Sequence, residues 1–219
     1  MAGLTINNIL AQKHRLMDFD GAWRATFGTP SAVGVWTIQG RSGSGKTTFA
    51  LMLTQYLQKV QKRRIIYWSI EQCGDYGFQS AVRRAGLATG GVKFFGNDPD
   101  AMEQVITEME RRYGYNVLII DTLTALHYNR ERGFSQRDFN AFAKRLQDKL
   151  IVFVCHEKEG SNGAIETPAG DYIKQQANVK ITVVGFVAYA NARAGFVNGG
   201  GEPFVINQKL ADEYSLNNL

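Results

Sequence analysis

Residues 34–49 read GVWTIQGRSGSGKTTF, and this stretch constrains the fold more than any other. The apolar run GVWTIQG (34–40) predicts a buried strand. KTTFALMLTQYLQKVQKR (46–63) predicts a helix whose terminal cations suit the negative end of its dipole. A chain that passes from strand to helix through glycines brings loop N–H groups and the helix's positive end to one point, which makes a cradle for anions. Gly40, Arg41, Ser42, Gly43, Ser44, Gly45, Lys46 and Thr47 fit G-x-x-x-x-G-K-[ST], and Thr48 follows in the same helical turn. The pattern predicts a nucleotide-phosphate site. In it Lys46 reaches the β- and γ-phosphates and Thr47 ligates Mg²⁺.

Further apolar, β-branched runs alternate with helical patterns. Strands are predicted at 64–70, 91–96, 116–121 and 150–156. Helices are predicted at 78–87, from an Asp98 N-cap with Pro99 at the first helical position to about Tyr113, and after a Ser135 cap. Residues 179–191 read as one long strand or as part of a hairpin, and the tail as a short strand and a turn of helix. Strands alternating with helices predict an α/β fold, a mostly parallel sheet covered on both faces, with antiparallel strands added at the C-terminal end. Residues 1–30 read as an adaptor segment and 31–219 as the main domain. The length suits one buried core. No run approaches the ~20 apolar residues of a membrane span, so no membrane partner is expected. Cys73 and Cys155, without metal-ligand spacing, suit a reduced cytoplasmic setting. The net charge of +5 fits either a polyanionic partner or a solvated basic surface.

Two carboxylates end buried strands. Asp121 closes NVLIID, where it can hold Mg²⁺ or cap the following helix. Glu71 follows RIIYWSI, where it can orient an attacking water or face solvent as an ordinary acid. His156 ends LIVFVCH and reads either as a γ-phosphate contact or as a structural histidine. His14 and His127 have no companions that suggest a metal.

Together the glycine loop, SIEQ and LIIDT resemble the RecA-like P-loop ATPases. From FDGAWRATFGTP onward, through VCHEKEG, TPAGDYIKQQANVKITVVGF and NARAG, the chain is similar to small RecA-core proteins of phages and mobile elements, described as nucleotide-binding or AAA-family proteins. The resemblance implies a RecA-like P-loop NTPase core for 31–219, with ATP and Mg²⁺ as ligands. It makes Glu71 the catalytic glutamate and His156 the polar sensor, a position where RecA-like proteins often carry glutamine. Arg193 resembles an arginine inserted into the neighbouring subunit's site. Asn191 replaces the lysine usual two residues before it, and Lys180 is a second candidate for that duty.

The same resemblance implies self-association into a ring or filament, with nucleotide at the interfaces. Two loops fall where RecA-like proteins meet DNA. HYNRERGFS offers Tyr128, Arg130, Arg132 and Phe134, cations and aromatics suited to single-stranded DNA. EKEGSNGAIETPAG offers Lys158 among repelling glutamates and reads also as a nucleotide-responsive lid. The expected function is an ATPase acting on single-stranded DNA in recombination, annealing or replication, with a single-strand-binding protein as a further partner. The alternatives are a KaiC-like switch that recruits proteins and a nucleic-acid translocase. A small-molecule kinase would need an arginine-rich lid, and the sequence shows none near the expected place.

Overall fold

A computed structural model describes residues 3–87, 90–98 and 100–217. Its elements run α1 (Ile6–Leu10), α2 (Gly21–Phe27), β1 (Gly34–Gly40), α3 (Lys46–Lys59), β2 (Ile65–Ser69), α4 (Tyr76–Arg84), β3 (Val92–Phe95), α5 (Met102–Glu110) and β4 (Val117–Asp121). They continue with α6 (Leu123–Tyr128), α7 (Gln136–Arg145), β5 (Leu150–His156), α8 (Gly170–Gln176), β6 (Val179–Val184), β7 (Val187–Ala192), β8 (Phe204–Val205) and α9 (Gln208–Asn217). Among the described residues the strands form one sheet of order β3-β2-β4-β5-β1-β6-β7-β8. The pairs from β3 to β6 are parallel, and β7 and β8 add antiparallel. This is the mostly parallel α/β sheet that the alternation in the sequence predicts, with the architecture of the P-loop NTPase core that the resemblance implies.

Both faces of the sheet are covered, which is why the parallel strands read as continuous apolar runs. Tyr67, Ile119, Val152 and Val154 pack on α3 through Phe49 and Leu53. Their neighbours Ile66, Trp68, Leu118, Ile120 and Phe153 face Met109 of α5 and Phe142 of α7. The segment before β1 joins the first of these clusters, with Met17, Phe19 and Phe27 buried. Trp23 stacks on Tyr56 at 4.8 Å and Phe27 on Trp36 at 5.4 Å. The Tyr56 hydroxyl accepts from the Asp20 N–H and donates to the Asp20 carboxylate, each at 2.8 Å. By contrast α1 buries none of its residues.

Three local expectations change. Helix α5 starts at Met102 with Ala101 as N-cap, later than the Asp98 cap predicts. The Asp98 carboxylate instead accepts the Asp100 N–H at 2.9 Å, a local bond that competes with helix initiation. Pro99 lies outside the described residues. Helix α8 was not anticipated. It buries only Gly170 and Ile173, too few to give a helical period. Helix α9 runs ten residues rather than one turn while burying only Ala211, so it too lacks an apolar stripe.

The 179–191 stretch is a hairpin. Gly185 and Phe186 hold φ of 52° and 60°, the left-handed values that a two-residue hairpin turn requires. A phenylalanine is strained there, and its backbone is tied down on both sides. The Phe186 N–H donates to Ser44 O (3.1 Å), and its carbonyl accepts from the Ile206 N–H (2.8 Å).

Candidate active site

The register of four adjacent strands assembles the site. Ser69 of β2 lies level with Asp121, Asp121 with Val154 of β5, and His156 with Gly40. Glu71, in the turn just past β2, and His156, the last residue of β5, therefore both stand two residues beyond the level of Asp121, one on either side. Alternation along each strand puts Tyr67 and Asp121 on the α3 face, beneath the glycine loop.

The loop from Gly40 to Thr48 closes over this edge. Glycine is required at Gly40, where a Cβ would sit 2.3 Å from Val183 O, and at Gly45, where φ is 104° and the Phe186 ring lies against the backbone. The ammonium of Lys46 is buried and donates to Arg41 O at 2.7 Å. Burial lowers its pKa, opposed chiefly by the negative charge of Asp121. The buried Ser44 hydroxyl has no partner among the described residues. An orphaned donor and a lysine aimed at its own loop are what a phosphate chain would satisfy, so the loop fits a nucleotide.

Asp121 is buried, and burial raises its carboxyl pKa above the usual range. Hydrogen bonds from Tyr67 and Thr47 and the charge of Lys46 oppose that shift. The Tyr67 hydroxyl donates to Asp121 Oδ2 at 2.6 Å. Burial and the neighbouring Asp121 push the Tyr67 pKa well up, so it stays a donor. No group of three or more His, Cys, Asp or Glu side chains suited to a metal occurs among the described residues. Mg²⁺ needs none, because it keeps several waters and takes one or two protein oxygens beside phosphate. Thr47 and Asp121, already hydrogen-bonded, fit that demand. The cap of α6 is Thr122, whose hydroxyl accepts the Ala125 N–H at 3.1 Å, so Asp121 is left for the site.

Glu71 Oε2 lies 3.4 Å from His156 Nε2 and 3.3 Å from the Thr122 hydroxyl, which donates to it. Together Lys46, Thr47, Thr48, Glu71, Thr122 and His156 line a cavity of about 280 Å³. Gly77, Ala81 and Arg84 of α4 close its far wall. A second hollow of about 560 Å³ begins on the other side of Ser42, Gly43 and Phe186. It runs between Arg41, Ser44, Glu157, the β6–β7 turn and Tyr214 of α9. The two adjoin across the glycine loop, with Ser42, Gly43 and Phe186 lining both.

The other anticipated residues lie elsewhere. Arg193 follows β7, and its N–H donates to Asn178 O at 2.8 Å. Asn178 precedes Val179, which pairs with Trp36, so Arg193 sits roughly 17 Å of strand rise below Gly40. Its own chain's phosphate site is out of reach. Lys180 is half-buried, level with Thr37 in mid-sheet. In the 127–135 loop Tyr128 and Arg132 are exposed, while Arg130 is half-buried and pairs with Asp100 at 3.7 Å. Phe134 is not available to stack on a base. It is 1% exposed and packs against Phe142 and Phe153. Lys158 is exposed, and the Tyr128 hydroxyl donates to Glu166 O at 3.3 Å, so the two loops touch.

Sequence reasoning missed Tyr67 and Arg84. A tyrosine inside a buried parallel strand must find an acceptor, and that was the available signal for the first. A model of the ATPase family associated with various cellular activities (AAA) matches residues 37–179, about two thirds of the chain. No curated protein matches it.

Proposed function

Because the chain belongs to the ATPase family associated with various cellular activities, we propose that it binds ATP across the two adjoining hollows at the glycine loop and hydrolyses it at the edge formed by β2, β4 and β5. One observation carries this reading: Glu71 shares a cavity with Lys46 and Thr47, its carboxylate held by His156 and Thr122. The loop N–H groups, Ser44 and Lys46 bind the phosphates. The adenosine end fits the hollow between Arg41, the β6–β7 turn and Tyr214. Mg²⁺ held by Thr47 and Asp121 would neutralise charge on the β- and γ-phosphate oxygens. Tyr67 fixes the Asp121 carboxylate, and α4 forms the far wall of the cavity. Glu71 orients a water and takes its proton as the water oxygen attacks the γ-phosphorus. The bond from that phosphorus to the β,γ-bridging oxygen breaks, and ADP departs.

The same contacts favour a nucleotide-responsive surface. From Glu71 one path runs through Thr122 and α6 to Tyr128, and another through His156 into the 157–170 loop. Tyr128 and Glu166 join the two ends. Loss of the γ-phosphate would release His156 and shift both loops together. We take single-stranded DNA as the surface's ligand, with Tyr128, Arg132 and Lys158 as its contacts, in the service of a phage or mobile element. Assembly head to tail, with Arg193 of one copy entering the phosphate site of the next, is part of this reading.

Glu71→Gln tests it. ATP binding should persist while turnover falls about 10²–10⁴-fold. Undiminished turnover would remove Glu71 from the chemistry. Stimulation of the wild-type protein by single-stranded DNA, fading as salt rises, would support the DNA contact. Indifference to DNA would favour a switch that recruits proteins.

A further inference from the structure

Helix α4 presents an unusual face to the phosphate cavity. The residues lining it are Gly77, Ala81 and Arg84, spaced i, i+4 and i+7 and therefore on one stripe of the helix. Gly77 is the second residue of α4, in its first turn. Here a Cβ on Gly77 would meet nothing within 4 Å, so close packing with protein does not demand the glycine. The two small residues leave room, and the third position carries a long cation. Arg84 is exposed and makes no ion pair among the described residues, while Glu71 opposite is engaged by His156 and Thr122.

A basic residue in the last turn of a helix can simply complement the dipole. Arg83 fills that place equally well, but it lines a separate hollow with Phe78 and Phe94. The helix is also anchored to the site. Phe78 is buried and packs against Tyr67 at 5.9 Å, and Tyr67 holds Asp121. The arginine is thus presented by a fixed element.

We infer that Arg84 is a cis-acting arginine of the phosphate site, contacting the γ-phosphate of the nucleotide bound by its own chain across the space left by Gly77 and Ala81. The inference rests on the ATP-site reading above. A planar guanidinium suits phosphate oxygens, and a donor already aimed where charge develops accelerates phosphoryl transfer. No second copy is needed for this contact, which separates Arg84 from Arg193.

The experiment compares ATP and ADP affinity in a Glu71→Gln chain, where ATP is not consumed, with and without Arg84→Ala, Arg84→Lys and Gly77→Leu. Arg84→Ala should weaken ATP about 10–100-fold and ADP less than about threefold, because only ATP offers the γ-phosphate. Arg84→Lys should recover part of that loss. Gly77→Leu should fill the gap and also discriminate against ATP. With Glu71 present, Arg84→Ala should lower turnover by the same factor at every protein concentration. Equal losses for ATP and ADP, or no loss, would overturn the role of Arg84. If the Glu71→Gln chain itself binds neither nucleotide, the ATP-site reading fails instead.

Discussion

The two ends of the sheet treat charge in opposite ways. At the phosphate end Lys46 and Asp121 are buried, and Asp121 is held by Tyr67 and Thr47. At the other end Arg193 stands in solvent with no ion pair among the described residues, tied only by its backbone to Asn178. Near that end a hollow of about 460 Å³ opens between Phe27, Trp36 and Phe196. Groups that must hold a geometry before the ligand arrives are embedded, at a cost to stability. Arg193, proposed to act on the site of another copy, is left exposed.

Three substitutions break or sharpen this contrast. The largest effect is expected from Arg193→Ala. If it supplies the neighbouring site, turnover should fall about 10³–10⁵-fold. The melting temperature should not move, and mixing with Lys46→Ala chains should restore part of the activity. Unchanged turnover would make the far end a bystander. Tyr67→Phe comes next. It leaves buried Asp121 Oδ2 without its donor, so urea unfolding should show a lower midpoint and a loss of about 1–3 kcal/mol of stability. A midpoint equal to wild type would mean that water replaces the hydroxyl.

The smallest effect is Asp121→Asn. Because the folded carboxyl pKa is raised, wild type loses stability as pH climbs from the unfolded value of ~3.9 through the folded one. The amide has no such slope. The variant should melt above wild type at pH 7, with the advantage shrinking toward pH 4. A variant less stable at pH 7 would show that the charge interactions around Asp121 outweigh its burial.

The legible parts of the sequence were those fixed by strand register. Gly40, Glu71, Asp121 and His156 all end apolar runs, and parallel pairing brings the ends of such runs to one edge. Tyr67 and Phe134 were hidden for the same reason: each is an aromatic whose role depends on which face or layer it joins. Tyr67 turns a core position into a support for Asp121. Phe134, in a loop rich in arginine, turns inward to Phe153. Arg84 was hidden because its meaning lies in the emptiness of Gly77 and Ala81, and no run of charge marks that. Helices α8 and α9 bury too little to leave a period, so α8 went unread and α9 was read as a single turn.

The strand order also dictates a history for each newly made chain. β1 carries the glycine loop, yet its partners are β5 and β6, more than a hundred residues later. Pairing so distant in sequence is slow, because a long loop must close before any contact rewards it. β2, β3 and β4 can join one another while β1 waits with an apolar strand uncovered. During synthesis the nucleotide loop thus emerges before either of β1's sheet partners and gains its shape only after them. Until residues 179–184 leave the ribosome, β1 lacks its β6 partner and is the segment with most to gain from a chaperone.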